Sequence, residues 1–275
     1  MQTFYADDTY CKSDKSDKTN RIHLFGGILI DKKDEPRLLQ IISDAKSKYT
    51  HPNLPMKWNF KDTVITDKFA EFDRLEEYKI MLSNSNAWRK EIIQNSLELN
   101  YQIVCGIIEN YSDDQKLAKK TKPEFLKYSF ENILMRLGID AMNNNHETYV
   151  IVDWPPDQNP QPLVQAYYKL FHQGKSSGGT TAKCGKLSEC KFFHTLLFAK
   201  CNHSPLLQFS DLIIGSIKDY MEAKLSKRQN LFASEIFNLH RSKIRSYNGN
   251  ILGFGVIPPS GNQTFRTKIK KILEE

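Results

Sequence analysis

The feature that most constrains this chain is a short apolar strand, close to its start, that runs into two adjacent carboxylates. In Phe4-Tyr5-Ala6-Asp7-Asp8-Thr9-Tyr10, strand alternation puts Tyr5 and Asp7 on one face and Phe4, Ala6 and Asp8 on the other. An ionised carboxylate at an otherwise apolar strand position is costly unless a partner compensates it. Two further aspartates have similar settings. Asp153 closes Tyr149-Val150-Ile151-Val152-Asp153, and Asp211 lies inside the apolar run from Leu206 to Ile214. A divalent cation compensates several such acids at once. The sequence therefore predicts a metal site built on Asp7, Asp153 and Asp211, with Asp8 beside it.

The 275 residues allow one large domain or two small ones. With 40% hydrophobic and 26% charged residues, the composition is that of a folded chain rather than a disordered one. The apolar runs are too short to cross a bilayer, and no basic segment followed by an apolar one opens the sequence. Neither a membrane nor a secretory route is expected. Five cysteines, an odd number, read as reduced thiols and point to a cytoplasmic setting. A net charge of +7 favours a polyanionic partner. Together with the acids, it makes nucleic acid the expected one.

Read along the chain, the first strand extends to about Tyr10, and polar residues 11 to 20 predict a hairpin loop. Ile22 to Ile30 return as a second strand, whose Gly26-Gly27 pair admits a close backbone approach or a bulge. Pro36 opens a helix carrying Leu38, Leu39, Ile41 and Ile42 at helical spacing. Residues 50 to 62 read as an irregular connection, residues 68 to 88 as a helix, and another helix starts near Arg89. Residues 100 to 108 form a third strand, and a long helix follows from Pro123, with Gly138 near its end. Asp153 closes a fourth strand, and a helix spans 161 to 171. Residues 173 to 189 have the composition of a flexible basic loop, and 192 to 198 that of a fifth strand. The segment 206 to 220 reads as an apolar helix around Asp211, residues 231 to 246 have helical character, and a basic helix ends the chain.

This order predicts an α/β fold with a mixed five-stranded sheet flanked by helices. The first three strands form a meander, and the later ones run parallel through helical crossovers. One domain is expected over residues 1 to 225, with a helical insertion around 60 to 98, and a C-terminal helical extension over 226 to 275 packs on the same domain.

Open α/β sheets bind ligands beyond the carboxyl ends of their strands, where Asp7 and Asp153 lie. Phosphodiester hydrolysis needs an activated water and neutralised charge on the attacking and leaving oxygens. Two Mg²⁺ ions about 4 Å apart supply both, and Mg²⁺ takes carboxylates, waters and substrate phosphate as ligands. Each acid also has a plainer reading. Asp8 fits a turn, Asp153 fits a turn or cap before Trp154-Pro155-Pro156, and Lys57 could satisfy Asp211 structurally. Cys184, Cys190, His194, Cys201 and His203 lack the paired spacing of a zinc site. No complete Gly-x-x-x-x-Gly-Lys-Ser/Thr phosphate-binding loop is present.

The ordered motifs resemble the family known as domain of unknown function 3800, which has an RNase H-like fold. That family opens with a strand leading into Asp-Glu-Ser-Gly, matched here by Tyr5-Ala6-Asp7-Asp8-Thr9, with the second acid one methylene shorter and Thr9-Tyr10 replacing Ser-Gly. The glycine-containing strand Phe25-Gly26-Gly27-Ile28-Leu29, Lys57 in Met56-Lys57-Trp58, and Asp153 after Ile151-Val152 follow in order. The most specific piece is Ser-x-x-x-Gln-x-x-Asp-Leu-x-x-Gly, read here from Ser204 through Gln208, Asp211 and Leu212 to Gly215. Where that family often has an acid shortly before the serine, this chain has Lys200. A fourth acid in RNase H-like enzymes comes from the helix after the third strand, where Glu124 and Glu131 both lie.

The resemblance implies a nuclease dependent on Mg²⁺ or Mn²⁺ that acts on DNA or RNA. Asp7, Asp153 and Asp211 would ligate metal, and Asp8 would ligate or orient. Lys57 would face a phosphate or the attacking water, and Gln208 and Ser204 would support the site. Lys175, Lys183 and Lys186 would hold the nucleic-acid backbone. The alternative is a catalytically inactive RNase H-like module that binds nucleic acid or protein. Analogy with compact nuclease effectors suggests a place in prokaryotic defence.

Overall fold

The sheet begins with β1 (Gln2–Tyr10) and β2 (Ile22–Asp31), paired antiparallel so that Asp7 lies opposite Gly26. The structure, a computed structural model, describes residues 1–10, 22–49, 54–60, 63–71, 73–109, 122–155 and 159–275. The hairpin loop expected over 11 to 20 lies outside them. β3 (Tyr101–Glu109) pairs antiparallel with β2, β4 (Thr148–Asp153) parallel with β1, and β5 (Leu197–Ala199) parallel with β4.

A sixth strand, β6 (Val256–Ile257), lies parallel to β3, giving the order β5-β4-β1-β2-β3-β6. The fold is therefore α/β with a mixed sheet of six strands among the described residues, one more than expected. Two residues carry too little periodicity to be read as a strand without their sheet neighbour. β5 starts later than expected. Phe192 makes only an isolated bridge to Thr148, and the Phe193 carbonyl accepts from the Tyr167 hydroxyl instead of a ladder partner.

Helices cover both faces. α1 (Glu35–Tyr49) buries Leu38, Ile41 and Ile42, while Leu39 stays exposed. The helix expected over 68 to 88 is broken into α2 (Thr63–Glu71) and α3 (Leu75–Ser83), and the helix expected near Arg89 starts earlier, as α4 (Ser85–Ser96). Asp73 adopts a left-handed φ of 55°, and the Asn84 side chain bonds the Ile80 carbonyl at 2.8 Å, so the chain turns at both places. α5 (Lys122–Asn144) and α6 (Gln161–Gln173) cover Phe4, Ala6, Val150 and Val152. Gly138 serves packing rather than helix termination, because a Cβ there would meet Cys184 Sγ at 2.5 Å.

α7 (Pro205–Leu225) crosses the other face, over Tyr5, Ile28 and Ile103, and α8 (Leu231–His240) and α9 (Gln263–Glu274) join the same core. The expected flexible basic loop is instead built into the α5–α6 layer. Ala182 and Leu187 are buried, Ala182 N–H donates to the Gly174 carbonyl at 2.8 Å, and Ser177 N–H donates to Glu131 Oε1 at 2.6 Å. Lysine, serine and glycine content predicts solvation, and misses the alternate apolar residues that pin this segment.

Gly26-Gly27 serves close approach and not a bulge, since the ladder register runs through it without interruption. A Cβ on Gly27 would lie 1.9 Å from the Tyr5 carbonyl and 3.0 Å from Ser210 Oγ. Ser210 Oγ in turn donates to that carbonyl at 2.8 Å. This contact sets α7 down on β1, one residue before Asp211.

His240 is fully buried, with Nε2 2.8 Å from Ser216 Oγ. Burial lowers its pKa from 6.5 to about 3. A depressed pKa means stability is present above the unfolded value of 6.5 and is lost as pH falls toward about 3. One such proton changes stability by up to about 1.4 kcal/mol per pH unit. Urea midpoints at pH 7 and pH 5 are expected to fall less for His240→Gln than for the wild type. Parallel declines would remove His240 as the cause.

Candidate functional site

The register brings the predicted acids together. Ala6 pairs with Val152, so Asp7 and Asp153 are the next residues on neighbouring parallel strands, about 5 Å apart along the sheet. Alternation sends both toward α7, where Asp211 follows the Ser210 contact. Asp8 points to the opposite face, and its Oδ2 lies 3.3 Å from Nε2 of the buried His23. A narrow cleft with room for about one water opens here between Asp7, Asp8, Asp153, Val152, Leu126 and Leu163.

Each acid of the trio accepts a short backbone N–H bond. Asp8 N–H reaches Asp7 Oδ1, Cys201 N–H reaches Asp153 Oδ1, and Trp58 N–H reaches Asp211 Oδ2, each at 2.6 Å. The electrostatics are strained. Asp7 is 4% exposed. Burial, then the charges of Asp153, Asp211 and Asp8, hold its carboxyl well above the usual range, with Lys57 opposing. Burial also raises Asp153, against the Cys201 N–H and Lys57, while Asp8 adds to the rise. Burial raises Asp211, against Lys57, the Trp58 N–H, Arg89 and Lys218. For Lys57, burial alone would lower the pKa, but Cys201, Asp211, Asp7 and Asp153 outweigh it and the ammonium is stabilised. Lys57 makes no ion pair among the described residues, so its charge faces the acids without closing on one of them.

The Ser204-to-Gly215 signature is a clamp on the Lys57 loop. Ser204 caps α7, its Oγ accepting the Leu207 N–H at 3.4 Å. Gln208 Oε1 accepts the Met56 N–H at 3.2 Å, and its Nε2 donates to the Cys201 and Asn202 carbonyls at 3.0 and 3.2 Å. Asp211 holds the Trp58 N–H. The residues on either side of Lys57 are thus both fixed to α7. Gly215 leaves the space that the Trp58 ring fills.

Sequence reasoning missed the outer half of this clamp. Trp58 Nε1 donates to Asp219 Oδ2 at 2.7 Å, and Lys218 pairs with Asp219 at 2.9 Å. Arg89 lies 4.8 Å from the Trp58 ring and 5.0 Å from the Trp88 ring, and donates to the Trp58 carbonyl. The available signal was Asp219, two turns beyond Asp211 on the same helix face. Nothing in the sequence pairs Arg89 with a residue 31 positions earlier.

Other expected residues are not brought to the acids. Lys175, Lys183 and Lys186 are exposed on the segment folded over α5 and α6, and Lys186 pairs with Glu189 at 3.1 Å. No hydrogen bond or ion pair among the described residues joins these lysines to the acids. Glu131 is buried and holds Ser177, a structural task, and Glu124 is exposed near the start of α5.

The donors are hard oxygens, the chemistry Mg²⁺ and Mn²⁺ prefer. The mutual repulsion at Asp7 is what a cation would relieve. Among the described residues, however, no three His, Cys, Asp or Glu side chains already form a ligand set around one point. An ion here would have to draw the carboxylates inward and keep waters in its shell. No family model, curated protein or solved structure matches this chain.

Proposed function

We propose that this protein is an RNase H-like, metal-dependent nuclease, similar to the domain of unknown function 3800 family, that hydrolyses phosphodiester bonds in DNA or RNA. The observation that carries the reading is the convergence of Asp7, Asp153 and Asp211 on Lys57, beyond the carboxyl ends of β1 and β4. The order β3-β2-β1-β4-β5, with β2 alone antiparallel to β1, supports it. Asp7, Asp153 and Asp211 would hold Mg²⁺ or Mn²⁺, with Asp8 orienting. When bound, the ion supplies charge neutralisation and an acidified water. Lys57, kept protonated by the acids, would contact a phosphate oxygen. Gln208 would keep that ammonium in place through the Met56 amide.

Labelled RNA, DNA and hybrid incubated with Mg²⁺, Mn²⁺ or EDTA test this. Cleavage of at least one substrate is expected with a metal and none with EDTA. Intact substrates in every metal condition would sink the nuclease reading.

The lack of a ready-made ligand set among the described residues favours a second reading, an inactive module that binds nucleic acid or a partner protein. Calorimetric titration separates the two. Uptake of Mn²⁺ that disappears in Asp7→Asn supports the nuclease, and no uptake supports the module.

A further inference from the structure

On the α5 face, at the β3–β6 edge, three guanidiniums gather around one tight turn. Arg136 Nε donates to the Gly253 carbonyl at 2.9 Å. Arg245 Nη1 donates to the Arg136 carbonyl at 3.2 Å, and its Nη2 pairs with Asp140 at 3.0 Å. Arg266 reaches the same turn, with Nη2 3.5 Å from where a Cβ on Gly253 would sit. Gly253 itself has a left-handed φ of 84°.

Fastening α5 to the tail accounts for Arg245, Asp140 and the Arg136 hydrogen bond. It does not account for the charge. Among the described residues Asp140 is the single carboxylate paired in this group, and neither Arg136 nor Arg266 forms an ion pair. Two guanidiniums are left over in a partly buried place, where charge is poorly screened. Their repulsion registers at Arg136, whose pKa is lowered first by burial and then by Arg245 and Arg266. Guanidinium forks match the oxygens of a phosphate bidentately.

We propose that Arg136, Arg245 and Arg266 form a second site, one that takes a phosphate group. Two sources share that chemistry: a backbone phosphate of a nucleic-acid strand, or a small free phosphate. The register fixes where this group lies relative to the acids. Asp7 lies opposite Gly26, Gly26 opposite Cys105, and Cys105 opposite Val256, whose carbonyl accepts the Gly253 N–H at 2.7 Å. Three strand spacings separate Asp7 from Val256, about 15 Å. The acids face α7 and the arginines lie on the α5 side, so a strand held at the acids would pass round the β6 edge of the sheet to reach them.

The test has two arms, both in EDTA so that neither depends on catalysis or on metal at the acids. In the first, the thermal midpoint is compared in inorganic phosphate and in chloride at equal ionic strength. In the second, a fluorescein-labelled single-stranded oligonucleotide is titrated by anisotropy across a salt series. The variants are Arg266→Met, which keeps much of the stem, and Lys33→Met, which removes an exposed charge elsewhere. Should Arg266→Met fold poorly, Arg136→Lys keeps the charge but loses the fork.

For a strand, Arg266→Met is expected to weaken oligonucleotide binding three- to tenfold and to lower the salt slope by about 1, with Lys33→Met close to wild type. A phosphate-induced rise in midpoint that Arg266→Met removes, with oligonucleotide binding unchanged, assigns the site to a free phosphate. Equal behaviour of Arg266→Met and Lys33→Met in both arms overturns the site. A protein that passes this test but cuts nothing retains the site and loses the nuclease reading.

Discussion

Asp7→Asn is expected to abolish metal-dependent cleavage and, in EDTA at pH 7, to raise the thermal midpoint. Both effects have one cause. Asp7 is buried, and beyond burial three neighbouring acids raise its pKa, with Lys57 opposing them. A carboxyl whose folded pKa lies above its unfolded value of 3.8 stabilises fully only below that value. The contribution is lost as pH rises through the folded pKa, so stability falls as the pH is raised toward neutrality. Asparagine keeps the shape and removes the charge, and its side-chain oxygen can still accept the Asp8 N–H. The midpoint should rise by roughly 2–4 °C for each kcal/mol relieved. Cleavage should fall by on the order of a hundredfold or more, the scale seen when one preorganised charge stabiliser is removed. Mn²⁺ should raise the wild-type midpoint and leave the variant unmoved, since a ligand that binds the folded state alone stabilises it. Asp211→Asn is expected to lose cleavage without the same gain, because Lys57, Arg89, Lys218 and the Trp58 N–H already oppose the rise at Asp211. If Asp7→Asn cleaves normally, or melts lower than wild type in EDTA, the acids are not a charge-frustrated cation site.

How much of this was legible in the sequence follows from what each residue type can announce. Asp7, Asp153 and Asp211 stood out because a carboxylate in an apolar run breaks a pattern, and the pattern is local. The first four strands and the long helices were legible for the same reason, and their boundaries fall close to the expected ones. The three-helix insertion was not. Its breaks depend on Asp73 in a left-handed conformation and on one side chain of Asn84, neither of which interrupts the apolar period. β6 was invisible because two residues become a strand only through β3. The basic segment misled because lysine and glycine content records solvation, whereas Ala182 and Leu187, few and spaced, record packing. The signature from Ser204 to Gly215 was visible as letters, but its work was not. Gln208 and Gly215 act on Met56 and Trp58, about 150 residues away, and no spacing rule reaches that far.

Gly215→Val tests that clamp directly and is expected to damage both stability and the site. A Cβ at position 215 would lie 2.4 Å from Trp58 Cγ, 2.5 Å from its Cβ and 2.6 Å from its Cδ1. The ring has nowhere to go. Its Nε1 is bonded to Asp219, its backbone N–H to Asp211, its face stacks on Phe232 with centroids 5.8 Å apart, and Arg89 closes in at 4.8 Å. Overpacking of this kind costs about 1–3 kcal/mol, and the midpoint should fall by roughly 2–4 °C for each. Relief comes only if Trp58 leaves its place, and Lys57, its neighbour, then leaves the acids. Near-ultraviolet circular dichroism should register the loss of the ordered indole, and cleavage measured well below the midpoint should drop on the order of a hundredfold. Pairing the change with Trp58→Ala separates packing from positioning. The double variant should recover part of the midpoint, because the clash is gone and the two sites are in contact. It should not recover cleavage, because the strut that presents Lys57 is gone too. A double variant that regains both would mean the tryptophan only fills space and that Lys57 is placed by something else.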